Sequence, residues 1–213
     1  LVIPAIPNQG KKPGQGAAAV HVLRLLTPGE VDASVTVELL SADGVFIPVG
    51  LNSRSISAGL VTELTFAPKI SSSAFAVKIT STEPVVAAVE SSVVIGGRKD
   101  FTWSTPAPEL SEFTMAVTGL SPLIAFAGSE INVAVEVTLV NGKTIRNTIK
   151  GTDIATWRVP AAARSFTITK VGEKTYAGGL VSSVNGYGYF PIAAGSVLTR
   201  VEIPDSNIRI LNP

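Results

Sequence analysis

Ser73 to Val93 reads SAFAVKITSTEPVVAAVESSV, and a related stretch, RSFTITKVGEKTYAGGLVSSV, occupies Arg164 to Val184. The two copies are separated by a constant 91 residues, since 164 − 73 and 184 − 93 give the same value. In the first copy the large apolar side chains of Phe75, Val77 and Ile79 fall on alternate positions, which is typical of a β-strand with one buried face. We therefore expect two strands joined by a tight polar turn, a hairpin that occurs twice.

The rest of the chain has the same character. The run from Pro84 to Val94 is small, apolar and rich in β-branched valine, which favours a strand over a helix. Asp43-Gly44 and Asn141-Gly142 lie at corresponding places in the two halves and predict type I′ hairpin turns, which need positive φ at both central residues. The sequence predicts an all-β chain, with two tandem immunoglobulin-like β-sandwich domains related by an internal repeat. The term immunoglobulin-like refers here only to two packed antiparallel sheets, because the Cys…Trp…Cys spacing of antibody domains is absent.

Three segments follow from this pattern. Residues 1–16 hold three prolines and three glycines and are predicted to be an N-terminal arm or linker, with a short edge strand at Leu1 to Ile3. Residues 17–108 form the first sandwich repeat and residues 109–213 the second. The second repeat ends in a tail with an apolar stretch at Ile208 to Leu211.

Composition excludes several classes of protein. The net charge of the 213 residues is only +1, whereas proteins that bind nucleic acid usually carry a clear basic excess. There is no cysteine, which excludes disulfides, thiolate metal sites and a cysteine nucleophile. No run of about 18 apolar residues predicts a membrane-spanning helix.

No catalytic, cofactor-binding or metal-binding residue is predicted. A Ser-His-Asp arrangement needs histidine as its general base, and the single histidine, His21, lies in an apolar strand pattern. The G-x-G-x-x-A match at 14–19 follows Lys-Lys-Pro and no strand, so it is a chance match. Asp100, Glu109 and Glu112 lie near the domain boundary, where sandwich proteins can bind calcium, but solvated loop acids are the simpler interpretation. We expect a protein that is not an enzyme and needs no cofactor.

Aromatic rings are the candidate ligand-binding residues, because a sugar ring stacks on an exposed aromatic face. Tyr187, Tyr189 and Trp157 are the predicted binding residues, since the glycines beside the two tyrosines leave their rings uncovered. Trp103 and Tyr189 fall at similar places in the two repeats, which favours packing in a core or a domain interface. Both interpretations of these rings stay open at this point.

Three stretches carry a resemblance to a known family: LRLLTPGEVDASVTVELLSADG at 23–44, PVVAAVESS at 84–92 and DFTWSTPAPEL at 100–110. Together they resemble an actinobacterial family of secreted or membrane-tethered proteins of unknown function. The matching residues are Arg24, Leu25, Pro28, Gly29, Asp32, Ala33, Val35, Thr36, Val37, Pro84, Val85, Val86, Ala87, Asp100, Phe101, Trp103, Pro106, Ala107 and Pro108. The sequence departs from the family pattern at Ala88, where a glycine is more usual. The resemblance implies a location in the cell envelope and a fold, but no mechanism.

We expect a non-enzymatic cell-envelope or secreted protein, located outside the cytoplasm, that acts as a structural or protein-interaction module. The alternative is a carbohydrate-binding module for cell-wall polysaccharide. The expected partner is a protein that pairs with an edge strand, or a cell-wall glycan, and not nucleic acid. A membrane tether outside this stretch fits the same setting, and the chain is expected to be a monomer or a weak dimer.

Overall fold

Antiparallel strands make up the regular structure of this chain, as the alternating patterns predict. The computed structural model describes residues 1–8, 20–95, 98–183 and 186–194. These residues contain no helix, so the all-β prediction is confirmed. The predicted tail strand at 208–211, the rest of the tail from residue 195 and the G-x-G-x-x-A motif lie outside the described residues.

Two facing sheets form the N-terminal half. Its strands are β1 (Val2–Pro7), β2 (His21–Leu26), β3 (Ala33–Ser41), β4 (Gly44–Phe46), β5 (Arg54–Ile56), β6 (Val61–Phe66), β7 (Ala74–Ser81), β8 (Val86–Ile95) and β9 (Arg98–Ser104). One sheet has the order β1-β7-β3-β4, with β5 also paired to β3, and the other has the order β6-β2-β8-β9. Leu23 and Val89 of the second sheet and Leu39 and Phe75 of the first are fully buried in the apolar core between them.

The C-terminal half has its own core and two layers that share their longest strands. Its strands are β10 (Phe113–Ala116), β11 (Leu123–Leu139), β12 (Thr144–Arg158), β13 (Ala163–Lys170), β14 (Tyr176–Ser183) and β15 (Gly186–Ile192). The beginning of β11 pairs with β14 and its end with β13, while β12 follows β11 through both parts. The register shifts between Gly128 and Ile131, a bulge at which the two strands pass from one layer to the other.

The predicted hairpins are wrong, although their strands are present. β7 pairs with β1 and β3 whereas β8 pairs with β2 and β9, and β13 and β14 are likewise not paired with each other. The polar connections at 82–85 and 171–175 carry the chain from one layer to the other. In each copy both strands have an apolar face, and crossing between layers lets both faces bury against one core.

The predicted turns are in the right places, but their type is wrong. In the turn between β11 and β12, the Gly142 amide donates to the Leu139 carbonyl (2.9 Å) and the Leu139 amide to the Lys143 carbonyl (2.8 Å). Gly142 has a φ of 82° and Gly44 a φ of 114°, while Asp43 and Asn141 do not have positive φ. The β11–β12 turn is therefore a type I turn followed by a glycine bulge, and only the glycine has the left-handed conformation.

The short edge strand predicted at Leu1 to Ile3 is present at the start of the arm, and it continues to Pro7 as β1. All six residues of β1 are buried, and the strand pairs with β7. Pro4 is tolerated in this strand because it lies in a register shift between Ile3 and Ile6, where the ladder needs no regular amide donor, and Pro7 is the last residue of the strand. Residues 9–16 of the arm lie outside the described residues, and the boundary between residues 108 and 109 stays a prediction.

A third apolar cluster joins the two halves, and we call it the seam. Five of its buried residues come from the N-terminal half and four from the C-terminal half: Val2, Ala5, Leu40, Ala74, Ala76, Ala125, Ala127, Ile154 and Leu180. Five of the nine are alanines, whose small side chains let strands approach closely. The Tyr189 hydroxyl donates to the Thr105 carbonyl (2.5 Å) beside this cluster and adds a polar contact across it.

Large and small apolar residues alternate in β7 and β11, two of the strands that contribute to both a core and the seam. In β7, Phe75 and Val77 point into the N-terminal core while Ala74 and Ala76 point into the seam. In β11, Phe126 lies in the C-terminal core while its neighbours Ala125 and Ala127 lie in the seam. Because successive side chains of a strand point to opposite faces, this alternation buries both faces of one strand.

The only histidine of the chain lies in the N-terminal core. The His21 ring contacts Phe66 and Phe75, with centroids 5.3 and 5.1 Å away, and its Nδ1 is 2.8 Å from the Ser91 hydroxyl oxygen. Its Nε2 has no hydrogen-bond partner among the described residues. Burial lowers the pKa of His21 from near 6.5 to about 4, so the ring is neutral at neutral pH.

Acid should destabilise the fold through His21. The unfolded chain binds the proton at a pKa near 6.5 and the folded chain at about 4, so the stabilisation is complete above pH 6.5 and falls as the pH drops towards 4. The expected loss in the free energy of unfolding is about 3 kcal/mol. Urea unfolding across this pH range measures it. A His21→Leu variant should lose this part of the pH dependence, and an unchanged pH slope in that variant would contradict the assignment.

A single methyl group at the seam should weaken the fold. In Gly178→Ala the new Cβ would lie 2.9 Å from Tyr189 Cε2, 3.0 Å from Ala5 Cβ and 3.1 Å from Pro4 Cγ. We expect overpacking to lower the free energy of unfolding by about 1–3 kcal/mol. Gly188→Ala on the paired strand is the matched control, since its Cβ would meet no atom within 4 Å. Equal urea midpoints for the two variants would show that the seam is not tightly packed.

Candidate functional site

Two of the three rings predicted to bind ligand make packing contacts. Trp157 is half-buried and meets Phe166 edge-on in the C-terminal core, with centroids 5.6 Å apart and an interplanar angle of 88°. Tyr189 packs against the seam, and burial raises the pKa of its hydroxyl well above the usual value. Each of these rings therefore has a structural contact that accounts for its position.

Tyr187 lies at a different place, where the chain also exposes Phe101. The Asp100 carboxylate accepts hydrogen bonds from the Phe101 amide (2.9 Å, to Oδ1) and the Tyr187 amide (3.2 Å, to Oδ2). Phe101 is 56% exposed and Tyr187 is half-buried. The Asp100 carboxylate thus holds the backbones of Phe101 and Tyr187 close together, and Phe101 was not among the rings predicted to bind ligand.

The outer face of the β6-β2-β8-β9 sheet carries a second aromatic contact. The Arg24 guanidinium lies over the Trp103 ring, 4.7 Å from its centroid. Its Nε donates to Glu63 (2.6 Å), and its NH2 nitrogen is 3.7 Å from a Glu90 oxygen. Trp103 is therefore not in a core or in the seam, and one face of its ring is already occupied by a cation.

One side of β12 has no partner strand in the part of the chain that the structure describes. The Leu139 amide donates to the Lys143 carbonyl, so these two residues form a hydrogen-bonded pair at the turn. Hydrogen-bonded pairs recur at every second residue of an antiparallel ladder, and the backbone amides of Ile145, Asn147 and Ile149 therefore bond to β11. The amides of the residues between them, Thr144, Arg146, Thr148 and Lys150, then point away from β11. All four residues are exposed, and the Thr148 amide donates to the Asn147 side chain (2.9 Å).

The charge along this open edge is positive. Arg146 pairs with Glu136 (2.9 Å) and keeps a largely exposed side chain, and Lys150 has no ion pair among the described residues. Lys143 precedes the strand in the turn. Charged side chains on an edge discourage indiscriminate strand pairing, and like charges also disfavour pairing of two copies at this edge.

Comparison with known proteins identifies a family for most of the chain. A model of a family of unknown function, DUF5719, matches residues 1–156. The chain belongs to this family. No curated protein and no solved structure matches it.

The part of the chain that matches DUF5719 contains some of these candidate sites and not others. It includes Arg24, Phe101 and Trp103, and it includes the open edge of β12 from Thr144 to Lys150. It ends before Trp157, Tyr187 and Tyr189, the three rings predicted to bind ligand. The edge and the outer face therefore lie in the part of the chain that the family model describes.

The described residues contain neither a candidate metal-binding cluster nor a candidate membrane-spanning helix. The described residues include no group of three or more histidine, aspartate or glutamate side chains placed to hold a metal ion. Glu109, one of the acids near the predicted boundary, accepts a hydrogen bond from the Lys174 amide (2.7 Å). No helix long and apolar enough to cross a membrane occurs in the described part of the chain.

Proposed function

We propose that this chain is a non-enzymatic structural and protein-interaction module of the cell envelope, which binds a protein partner by strand addition at β12. The observation that carries the proposal is the open edge, where alternate amides and carbonyls of a strand point away from its neighbour. An extended segment of another protein can satisfy these groups and continue the sheet. Arg146, Lys150 and Lys143 favour an acidic segment as that partner.

We also propose that the two halves are tandem β-sandwiches that arose by duplication of one repeat. The order β1-β7-β3-β4 in the N-terminal half corresponds to β10-β13-β11-β12 in the C-terminal half, and β6-β2-β8-β9 corresponds to β12-β11-β14-β15. The shared order supports a duplication in which two strands later became continuous. With the seam between them, the two halves would act as one stiff spacer.

The location of the module outside the cytoplasm rests on the resemblance to actinobacterial envelope proteins. The absence of cysteine from the sequence does not decide the compartment. A stiff spacer with one binding edge suits a scaffold in the envelope, which holds a partner at a fixed distance from its own attachment.

Hydrogen exchange with a defined peptide tests strand addition. A short peptide of alternating valine and glutamate should slow exchange of the Arg146, Thr148 and Lys150 amides, and a peptide of alternating valine and lysine should not. Thr148→Pro removes one outward amide without affecting the ladder to β11 and should abolish the protection, whereas Thr148→Ala keeps the amide and should retain it. Equal protection in the two variants, or by the two peptides, would rule out strand addition at this edge.

Binding of cell-wall polysaccharide is the second candidate function, and the pairing of Phe101 and Tyr187 at Asp100 favours it. The exposed Phe101 ring and the half-buried Tyr187 ring, with the Asp100 carboxylate between their backbones, offer stacking and hydrogen bonding to a sugar. In a pelleting assay with insoluble actinobacterial cell wall, the parent chain should pellet, while Phe101→Ala and Tyr187→Ala should stay in solution. Tyr189→Phe, which keeps its ring at the seam, is the control. Alanine variants that pellet as well as the parent would eliminate this site.

A further inference from the structure

A cleft of about 350 Å³ opens at the border of the seam, and both halves of the chain line it. Val2 and Leu40 from the N-terminal half and Tyr176 from the C-terminal half provide apolar surface that continues the seam. Binding sites for small molecules often lie between domains and combine apolar walls with a few polar groups. This cleft has that composition and is separate from the outward amides of β12 and from Asp100.

Four charged residues line the cleft, and two of them are not paired with each other or with any described residue. Glu38 and Lys78 form an ion pair of 2.8 Å on the side of the N-terminal half. Asp153 and Lys174 on the opposite side make no ion pair within the described ranges. The cleft is therefore neutral overall but offers one free carboxylate and one free ammonium group.

The backbone places these two charges beside the same residue, Gly128. Asp153 is the ladder partner of Gly128 at the bulge of β11. A Cβ on Gly128 would lie 3.0 Å from the Lys174 carbonyl oxygen, so the Lys174 turn packs directly on this glycine. Asp153 and Lys174 are thus neighbours in space although they belong to a strand and a separate turn.

Both charged residues have a backbone conformation that glycine adopts more easily. Asp153 has a φ of 62° and Lys174 a φ of 49°, and Ser53 is the one other described residue besides glycine with positive φ. Glycine would relieve the strain at either position but would remove the charge. Two charged side chains therefore occupy neighbouring positions at which the backbone conformation favours glycine.

We propose that this cleft binds a small zwitterion with an apolar side chain, such as an amino acid or a short peptide. Its ammonium group pairs with Asp153, its carboxylate pairs with Lys174, and its side chain lies on Val2, Leu40 and Tyr176. A neutral dipolar ligand matches the balanced charge of the cleft. The Glu38–Lys78 pair remains intact and closes the opposite side.

Titration of the chain with leucyl-leucine, followed by NMR, tests this site. The dipeptide should shift the amide resonances of Gly128, Ser129 and Lys174, and N-acetyl-leucyl-leucine amide, which has the same side chains but no charges, should not. Asp153→Asn, which tolerates positive φ, and Lys174→Met should each weaken binding by about three- to tenfold. Lys69→Met, at an exposed lysine that does not line the cleft, should bind like the parent.

Salt dependence on the parent chain gives a second measurement that needs no variant. Added salt should weaken binding of leucyl-leucine, because both of its contacts are ionic and lie near solvent. Equal binding of the blocked peptide, unchanged affinity in both charge variants, salt-independent binding or the absence of any shift at these three amides would each overturn the proposal.

Discussion

Close packing of alanine-bearing strand faces between the two halves is the contact on which the rest of the structure depends. Ala74 and Ala76 of β7 belong to the same buried cluster as Ala125 and Ala127 of β11, and β1 is buried with them through Val2 and Ala5. A strand that would otherwise be an edge is buried as a result. The seam also sets the distance between the halves, and so it forms the cleft at its border and holds Tyr189 against Thr105.

Sequence periodicity predicted the strands well but could not predict how they pair. The alternation at Phe75, Val77 and Ile79 identifies a buried face, yet a short polar connection looks the same whether it joins two neighbours in a sheet or two facing layers. A signal was present in the small residues of the same strand. Ala74 and Ala76 alternate with Phe75 and Val77, which indicates a strand buried on both faces. The same signal occurs at Ala125 and Ala127, around Phe126.

The candidate sites were harder to predict, because exposure depends on neighbours that are distant in sequence. Trp157 is covered by Phe166 and Tyr189 by the seam, whereas Phe101 stays exposed. The open edge of β12 was missed because periodicity indicates which residues form a strand but not which strands flank it, and β11 continues with a bulge through Gly128-Ser129-Glu130. That continuity makes β11 and β12 long enough to run through both layers, and the positive φ of Asp153 lies at the bulge between them.

The seam should make the two halves one rigid body, and residual dipolar couplings of the backbone amides measure this directly. Couplings from β2, β3, β7 and β8 in one half and from β11 to β14 in the other should fit a single alignment tensor with the present relative orientation. Two tensors of different magnitude, or a single tensor that fits each half only after one is rotated, would show that the halves move or sit differently. The seam would then not be the contact that organises the protein.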